Sequence, residues 1–366
     1  MNREHEDCLN SGSEAACSLS RRRLLRTLGL SAVSWAVGGP RWLTAAELDA
    51  TGMRAAARYS AAHTGVAMLV MKGGKVIFED YPNGHVRNEM HKIYSGTKGF
   101  WILAALKAAE EGRIDLEERV ASTISEWRDD PGKSRVTLRQ LLSFCSGLDS
   151  ANQLHGDGFE DRDAIAIRTA LVAPPGRAFI YGPAPLQVFH EILKRKLAER
   201  DETPTAYLER KVLQPMGFGS QRYLADKQGN PLLATGFMMT ARRWARMGQL
   251  ILDGGSPVVS PGSLAQCFRG SSANCAFGMG FWNNRAAADP SGHELDIEDM
   301  LEPKWYRQNW QRACICRDAP ADLVASVGSG YQRLFVIPSQ QLVIVRLGRF
   351  GRMSDAQFLR MVLGKA

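Results

Sequence analysis

Ser95 and Lys98 stand three residues apart at the head of an apolar run, in Ser95-Gly96-Thr97-Lys98. On a helix, residues i and i+3 share a face, so the lysine amine there can reach the serine hydroxyl. A helix N-terminus carries partial positive charge and helps depress the pKa of such an amine. A neutral lysine can then take the serine proton, and a lysine base is one known way to activate a serine nucleophile. The chemistry implied is acyl transfer. Gly99-Phe100-Trp101-Ile102-Leu103-Ala104-Ala105-Leu106 runs on to Glu110-Glu111-Gly112. This pattern predicts a helix of about 17 residues ended by glycine.

The same residues admit a rival. Tyr94-x-x-x-Lys98 has the spacing of the tyrosine–lysine pair of short-chain dehydrogenases. That chemistry needs a glycine-rich dinucleotide loop after a first strand, well upstream. Nothing before Tyr94 reads strand, G-x-G-x-x-G, helix, which excludes it. Nucleic acid is not implied either. The net charge is +8, of which six arginines and four acids in residues 1–46 account for two, leaving about +6. That charge is dispersed, with no basic cluster interleaved with aromatics after Arg41. The seven histidines show no metal-ligand spacing. The late cysteines give C-x-C rather than C-x-x-C, a poor zinc pattern. No metal and no organic cofactor is expected.

The N-terminus reads as an export signal. Ser20-Arg21-Arg22-Arg23-Leu24-Leu25-Arg26 resembles the twin-arginine motif, and an apolar stretch from Leu28 to Val37 follows. That stretch is too short to span a bilayer as a helix. Thr44-Ala45-Ala46 offers small residues for cleavage. Residues 1–46 are therefore set apart as a signal peptide, and the mature chain is expected in the periplasm or secreted, without a membrane span. Disulfides are permitted there. Cys267, Cys275, Cys314 and Cys316 allow up to two bridges in any of three pairings, whereas Cys145, in an apolar run, reads as a buried free thiol.

The elements that must carry Ser95 and Lys98 follow from local pattern. Residues 47–62 read as an alanine-rich helix. Val66–Met71 and Val76–Tyr81 read as strands joined by a turn at Lys72-Gly73-Gly74-Lys75. Thr137 caps a helix over 136–142. Leu186–Ala198 and Thr240–Leu252 read as amphipathic helices, the second ending at Gly254-Gly255. Residues 277–282 suggest a strand, and 284–310, polar and aperiodic, an insertion or lid. Gln332–Ile337 and Leu342–Leu347 are strands around a turn at 338–341, and Ser354 caps a last helix. Strands at both ends with helices between predict one sheet built by the two ends, 47–94 and 270–366. A mainly helical domain, 95–269, is inserted and carries Ser95 at the interface.

Five segments in one order resemble the class C β-lactamase-like serine hydrolases, a family that includes esterases, D-alanyl-D-alanine peptidases and 6-aminohexanoate-dimer hydrolases. They are Ile93–Phe100 with Gly112–Leu116 after it, Thr137–Leu148, Pro175–Tyr181, Met239–Leu250 and Gly328–Pro338. The resemblance spans nearly all of the mature chain. It implies an α/β, β-lactamase/transpeptidase-like fold, with an antiparallel sheet flanked by helices and an inserted mainly helical domain. It also implies roles: Ser95 the acylated nucleophile, Lys98 its base, and Tyr181 the phenol relaying a proton to the leaving group. The oxyanion hole would use the N–H groups of Ser95 and Ser329, each such donor being worth about 3–4 kcal/mol. Gly328, Ser326 and Trp282 would meet substrate. Trp305, Tyr306 and Trp310 could line the cleft, though core or lid packing is the commoner role for such aromatics, and Asp149 reads as a turn residue.

Two departures bear on substrate. Relatives acting on β-lactams or peptidoglycan usually have Tyr-x-Asn, where this chain has Tyr181-Gly182-Pro183. Their third motif usually begins with lysine or histidine, where this chain has Ser326-Val327-Gly328. Loss of an amide donor and a cation weakens the case for a carboxylate-bearing β-lactam and leaves the acyl-transfer machinery untouched. The expectation is a hydrolase of a small-molecule ester or amide. The alternatives are a D-alanyl-D-alanine carboxypeptidase or β-lactamase-type enzyme acting on a cell-wall peptide, and a catalytically silent cell-wall-binding homologue.

Overall fold

The computed structural model describes residues 49–365. The twin-arginine stretch 20–26, the apolar run 28–37 and the cleavage residues 44–46 lie outside the described residues. In chain order the main elements begin with helix α1 (Ala50–Ala62) and strands β1 (Gly65–Lys72) and β2 (Lys75–Asp80). Helices α2 (Lys98–Glu110), α3 (Ala184–Leu197) and α4 (Ala241–Leu252) follow. Strands β3 (Trp282–Asn283), β4 (Val324–Gly328), β5 (Gln332–Ile337) and β6 (Leu342–Gly348) and helix α5 (Asp355–Val362) complete it. Local chemistry explains the boundaries. Thr137, Thr240 and Ser354 each accept a hydrogen bond from the N–H three residues on, and Thr137 forms a full capping box with Gln140. Gly73 and Gly74 both adopt positive φ, as the two-residue hairpin between β1 and β2 requires.

The six strands form one antiparallel sheet in the order β2-β1-β6-β5-β4-β3. The first two strands thus join the last ones, with β1 against β6 (Val70 opposite Ile344). Successive strand side chains face opposite ways, which places helices on both faces. Val343 and Leu334 point at α4, where Gly248 lets the helix come close. Arg346 points the other way, reaching Ser60 of α1, and Phe335 meets Phe358 of α5. With both faces covered, β5 and β6 are buried along their whole length.

Residues between β2 and β3 are mainly helical. Helix α2 runs through their centre, buried over most of its length and without a polar stripe. The result is the expected mixed α/β fold, an antiparallel sheet flanked by helices with a helical insertion. Among the described residues no helix is long and apolar enough to cross a membrane.

Two expectations need correction, and among the described residues the bridges left open for the late cysteines are not formed. The helix over 95–111 is instead a 3₁₀ turn, Tyr94–Thr97, followed by the shorter α2. The strand expected over 277–282 shrinks to β3, because the chain turns at Gly280 (φ +72) and leaves only a single bridge between Phe277 and Trp282. The late cysteines form no bridge among the described residues. Cys275 Sγ donates to Trp310 O, Cys314 Sγ to His293 O and Cys316 Sγ to Ala356 O, while Cys267 is fully buried. Cys145 is the buried free thiol expected. The aperiodic stretch 284–310 holds two 3₁₀ turns, a helix Ile297–Leu301 and a short parallel pairing of His293–Glu294 with Ala313–Cys314.

Candidate active site

The turn that carries Ser95 is built by a distant strand. His91–Lys92 pairs antiparallel with Met238–Met239, and Ile93 N–H donates to Phe237 O at 3.0 Å. The chain then leaves extended backbone through Tyr94 at φ +46, a left-handed conformation costing a non-glycine residue roughly 1–2 kcal/mol. Thr97 holds the turn. Its Oγ1 donates to Tyr94 O (2.7 Å) and accepts from Phe237 N–H (3.1 Å). Beneath it lies Trp244 of α4, fully buried; a Cβ on Gly96 would stand 2.6 Å from its ring. The segment around Met239–Leu250 thus supplies the floor of the turn.

Ser95 and Lys98 meet directly. Lys98 Nζ donates to Ser95 Oγ at 2.7 Å and to the Ala234 carbonyl at 2.8 Å. Lys98 is 1% exposed, and burial draws its pKa down to about 7, because the ammonium loses hydration that the neutral amine hardly misses. Near neutral pH about half of the amines are therefore uncharged, and the same short contact then runs from the Ser95 hydroxyl to the amine lone pair.

Tyr181 closes the constellation. Lys98 Nζ lies 4.7 Å from the centre of its ring. Burial pushes the phenol up to about 12, while the neighbouring Ser95 hydroxyl works in the opposite direction. The phenol is accordingly a proton donor across the physiological range. The turn bearing it is held by main-chain bonds to the Thr137–Leu148 segment: Gly176 N–H donates to Cys145 O (2.7 Å) and Ile180 N–H to Phe144 O (2.9 Å). The ring rests on Phe144 (centroids 4.9 Å apart) and Phe277 (6.0 Å).

Strand β4 ends against the turn that carries Ser95. A Cβ on Gly328 would lie 2.0 Å from Ile93 O, so only glycine allows this approach. The next residue, Ser329, is exposed, and among the described residues neither its N–H nor that of Ser95 donates to another group. Ser326 and Trp282, expected to meet substrate, are each 2% exposed. Trp282 stands behind Tyr181, ring centres 6.4 Å apart, and packs at a tilt against Trp310 at 5.2 Å. A substrate would meet Tyr181 before Trp282. Trp310 is buried with it, Trp305 and Tyr306 pack on each other, and Asp149 accepts from Ala151 N–H as a turn residue does.

Two contributors carried no signal in the sequence pattern. The Ala234 carbonyl is main chain, and Thr97 ties its own turn to Phe237, more than a hundred residues away. Among the described residues one group of metal-ligand types, Glu294, Cys316 and Asp318, lies within 4.8 Å of one another. Arg360 already pairs with both of its carboxylates, which leaves little net charge for a cation.

Known proteins share this fold. The chain is 26% identical over 303 residues to the 6-aminohexanoate-dimer hydrolase of Paenarthrobacter ureafaciens, covering 77% of this chain and 71% of the relative. Among solved structures it superposes on EstCE1, a hydrolase with promiscuous acyltransferase activity, with a TM-score of 0.62 at 16% identity, covering 86% of this chain and 97% of that one. The class C β-lactamase from Rhodobacter sphaeroides gives a TM-score of 0.61 at 16% identity over 86% and 99%. Residues 45–349, nearly the whole described chain, match the family model described as Beta-lactamase, and the chain belongs to that family.

Proposed function

We propose that the protein is a serine hydrolase that cleaves a carboxylic ester or amide through an acyl-enzyme on Ser95. The observation that carries this reading is the 2.7 Å contact between Ser95 Oγ and an amine whose pKa lies near neutrality. Neutral Lys98 takes the proton as Oγ attacks the carbonyl carbon. The developing oxyanion accepts from the N–H groups of Ser95 and Ser329. Tyr181 gives its proton to the leaving group as that bond breaks, and Lys98 returns one to the phenol. Water then enters by the same route in reverse and releases the acid. An ester is the easier substrate, because its leaving group needs less protonation.

The site lies where the helical part, 95–269, meets the sheet part, 47–94 and 270–366. Hydrolase names among the relatives support the reaction class. The lack of a cation at Ser326 and of an asparagine two residues after Tyr181 disfavours a carboxylate-bearing β-lactam. Residues 1–46 support folded export by the twin-arginine route and a periplasmic or secreted enzyme.

Ser95→Ala should abolish p-nitrophenyl ester hydrolysis and labelling by a fluorophosphonate while the circular dichroism spectrum stays unchanged. Turnover that persists in this variant would remove Ser95 as nucleophile. Nitrocefin and a D-alanyl-D-alanine peptide, assayed beside the ester, separate the β-lactamase and carboxypeptidase activities. A wild-type chain that no acylating probe labels would instead be a silent binding homologue.

A further inference from the structure

The segment between β3 and β4 sends a carboxylate into the turn that carries Ser329. Its short helix Ile297–Leu301 starts at Asp296, whose Oδ1 accepts from the N–H groups of Glu298 (2.9 Å) and Asp299 (3.2 Å). The Glu298 side chain reaches back to the β4–β5 turn. Its Oε2 accepts from Gly330 N–H (3.1 Å), and its Oε1 from Tyr331 N–H (2.7 Å) and from Arg333 Nη1 (3.0 Å). Arg333 is fully buried and fixed in turn by Asp355 of α5, with Nε 2.8 and 2.9 Å from the two carboxylate oxygens.

Gly330 and Tyr331 are both left-handed, at φ +74 and +59, so two successive N–H groups converge on one carboxylate, the geometry of a main-chain anion cradle. Tyr331 has a side chain and holds that conformation only under constraint. The residue just before this cradle is Ser329. The turn is therefore pinned on both sides of Ser329, by the contact of Gly328 with Ile93 and by the Glu298 carboxylate at Gly330 and Tyr331.

We propose that Glu298 is a positioning residue for the acyl-transfer reaction: by clamping Gly330 and Tyr331 it aims the Ser329 N–H at the substrate oxygen. This rests on the acyl-enzyme reading of Ser95. Glu298 touches no reacting atom; its charge also raises the Tyr181 phenol slightly, an influence common to both esters, and its effect on the oxyanion runs through one hydrogen bond.

The test compares an oxoester with the matching thionoester, p-nitrophenyl acetate and O-p-nitrophenyl thionoacetate, on wild type, Glu298→Ala and Glu298→Gln. Sulfur accepts hydrogen bonds poorly, so the thionoester draws little from the Ser329 N–H. Loss of a whole oxyanion donor lowers kcat by about 10²–10³, so a donor that is present but misaimed should lower oxoester kcat by about 10–100-fold in Glu298→Ala. KM should stay within about two-fold and thionoester kcat within about three-fold, so the oxoester-to-thionoester ratio falls by about ten-fold. Glu298→Gln keeps one acceptor oxygen in nearly the same shape, should fall between the two, and carries the test if the alanine variant does not fold. A ratio unchanged from wild type in both variants, whether or not the rates fall, would reduce Glu298 to a structural tie and overturn the proposal. Ser95→Ala is run alongside. If it still turns over the oxoester, the acyl-enzyme reading fails and takes this proposal with it; if it is inactive while the ratio stays constant, only the role of Glu298 fails.

Discussion

Replacing Lys98 with methionine should strengthen the fold while removing the reaction. Lys98 is buried, and its pKa falls from the ordinary 10.5 to about 7. Between those two pH values the unfolded chain holds a proton that the folded chain lacks, so stability rises with pH across that window. Below about pH 7 both states are protonated and the burial penalty is fully present; above about pH 10.5 both are neutral and it has gone. A gap of about 3.5 in pKa, at about 1.4 kcal/mol each, makes the full penalty on the order of 5 kcal/mol. Methionine removes the charge but leaves the Ala234 carbonyl, which accepts from Nζ at 2.8 Å, without its donor. A buried acceptor left unpaired costs about 1–3 kcal/mol. The variant should therefore be more stable than wild type by about 2–4 kcal/mol at pH 6, a gain that shrinks with rising pH and becomes a loss of about 0–2 kcal/mol by pH 10, where somewhat under about 1 kcal/mol of the burial penalty remains. Urea unfolding of both proteins at each pH from 6 to 10 reads this difference, because the titration of all other groups cancels. A stability difference that stays constant from pH 7 to pH 10 would refute the depressed amine and the base role built on it.

Further outcomes follow from the same geometry. For the wild type, kcat/KM on an ester should rise about ten-fold per pH unit up to about pH 7 and then level off. No alkaline fall should appear before pH 10, because Tyr181 is pushed up to about 12; an acid limb centred near 5 would point to a carboxylate base instead. Gly328→Ala places a methyl 2.0 Å from Ile93 O and must push β4 away from the nucleophile turn, so kcat should fall on the order of 10²-fold with the circular dichroism spectrum retained. Unchanged turnover would show that this close approach does not matter to the reaction. Asp355→Ala strips buried Arg333 of its main partner and should cost about 3–5 kcal/mol in urea unfolding, whereas an unmoved midpoint would mean that Glu298 alone satisfies the guanidinium.

What could be read in the chain beforehand was local. The caps at Thr137, Thr240 and Ser354, the hairpin at Gly73 and Gly74 and the apolar stripes of α3 and α4 all depend on residues a few positions apart, and the structure has them where the pattern put them. Ser95 and Lys98 could be paired for the same reason, since three residues of turn bring their tips together whether the backbone is α or 3₁₀. What could not be read was imposed from far away. The left-handed Tyr94 and the 3₁₀ turn follow from pairing with Met238–Met239, so the regular helix predicted through Ser95 gave way. Gly280 broke a run whose alternation looked like a strand. Cysteine spacing carries no information about which thiols face each other, and each of Cys275, Cys314 and Cys316 found a carbonyl instead. Glu298 stood in an aperiodic stretch, with its partners more than thirty residues downstream.

The strand at the centre of the sheet, β6, leaves the ribosome some 270 residues after its neighbour β1. Until β6 emerges, a hairpin of β1 and β2 would have one long apolar edge bare. Closing so large a loop is slow, and an uncovered edge invites pairing with other chains. A premature stop before Leu342 would consequently delete the keystone of the sheet and leave an aggregating fragment.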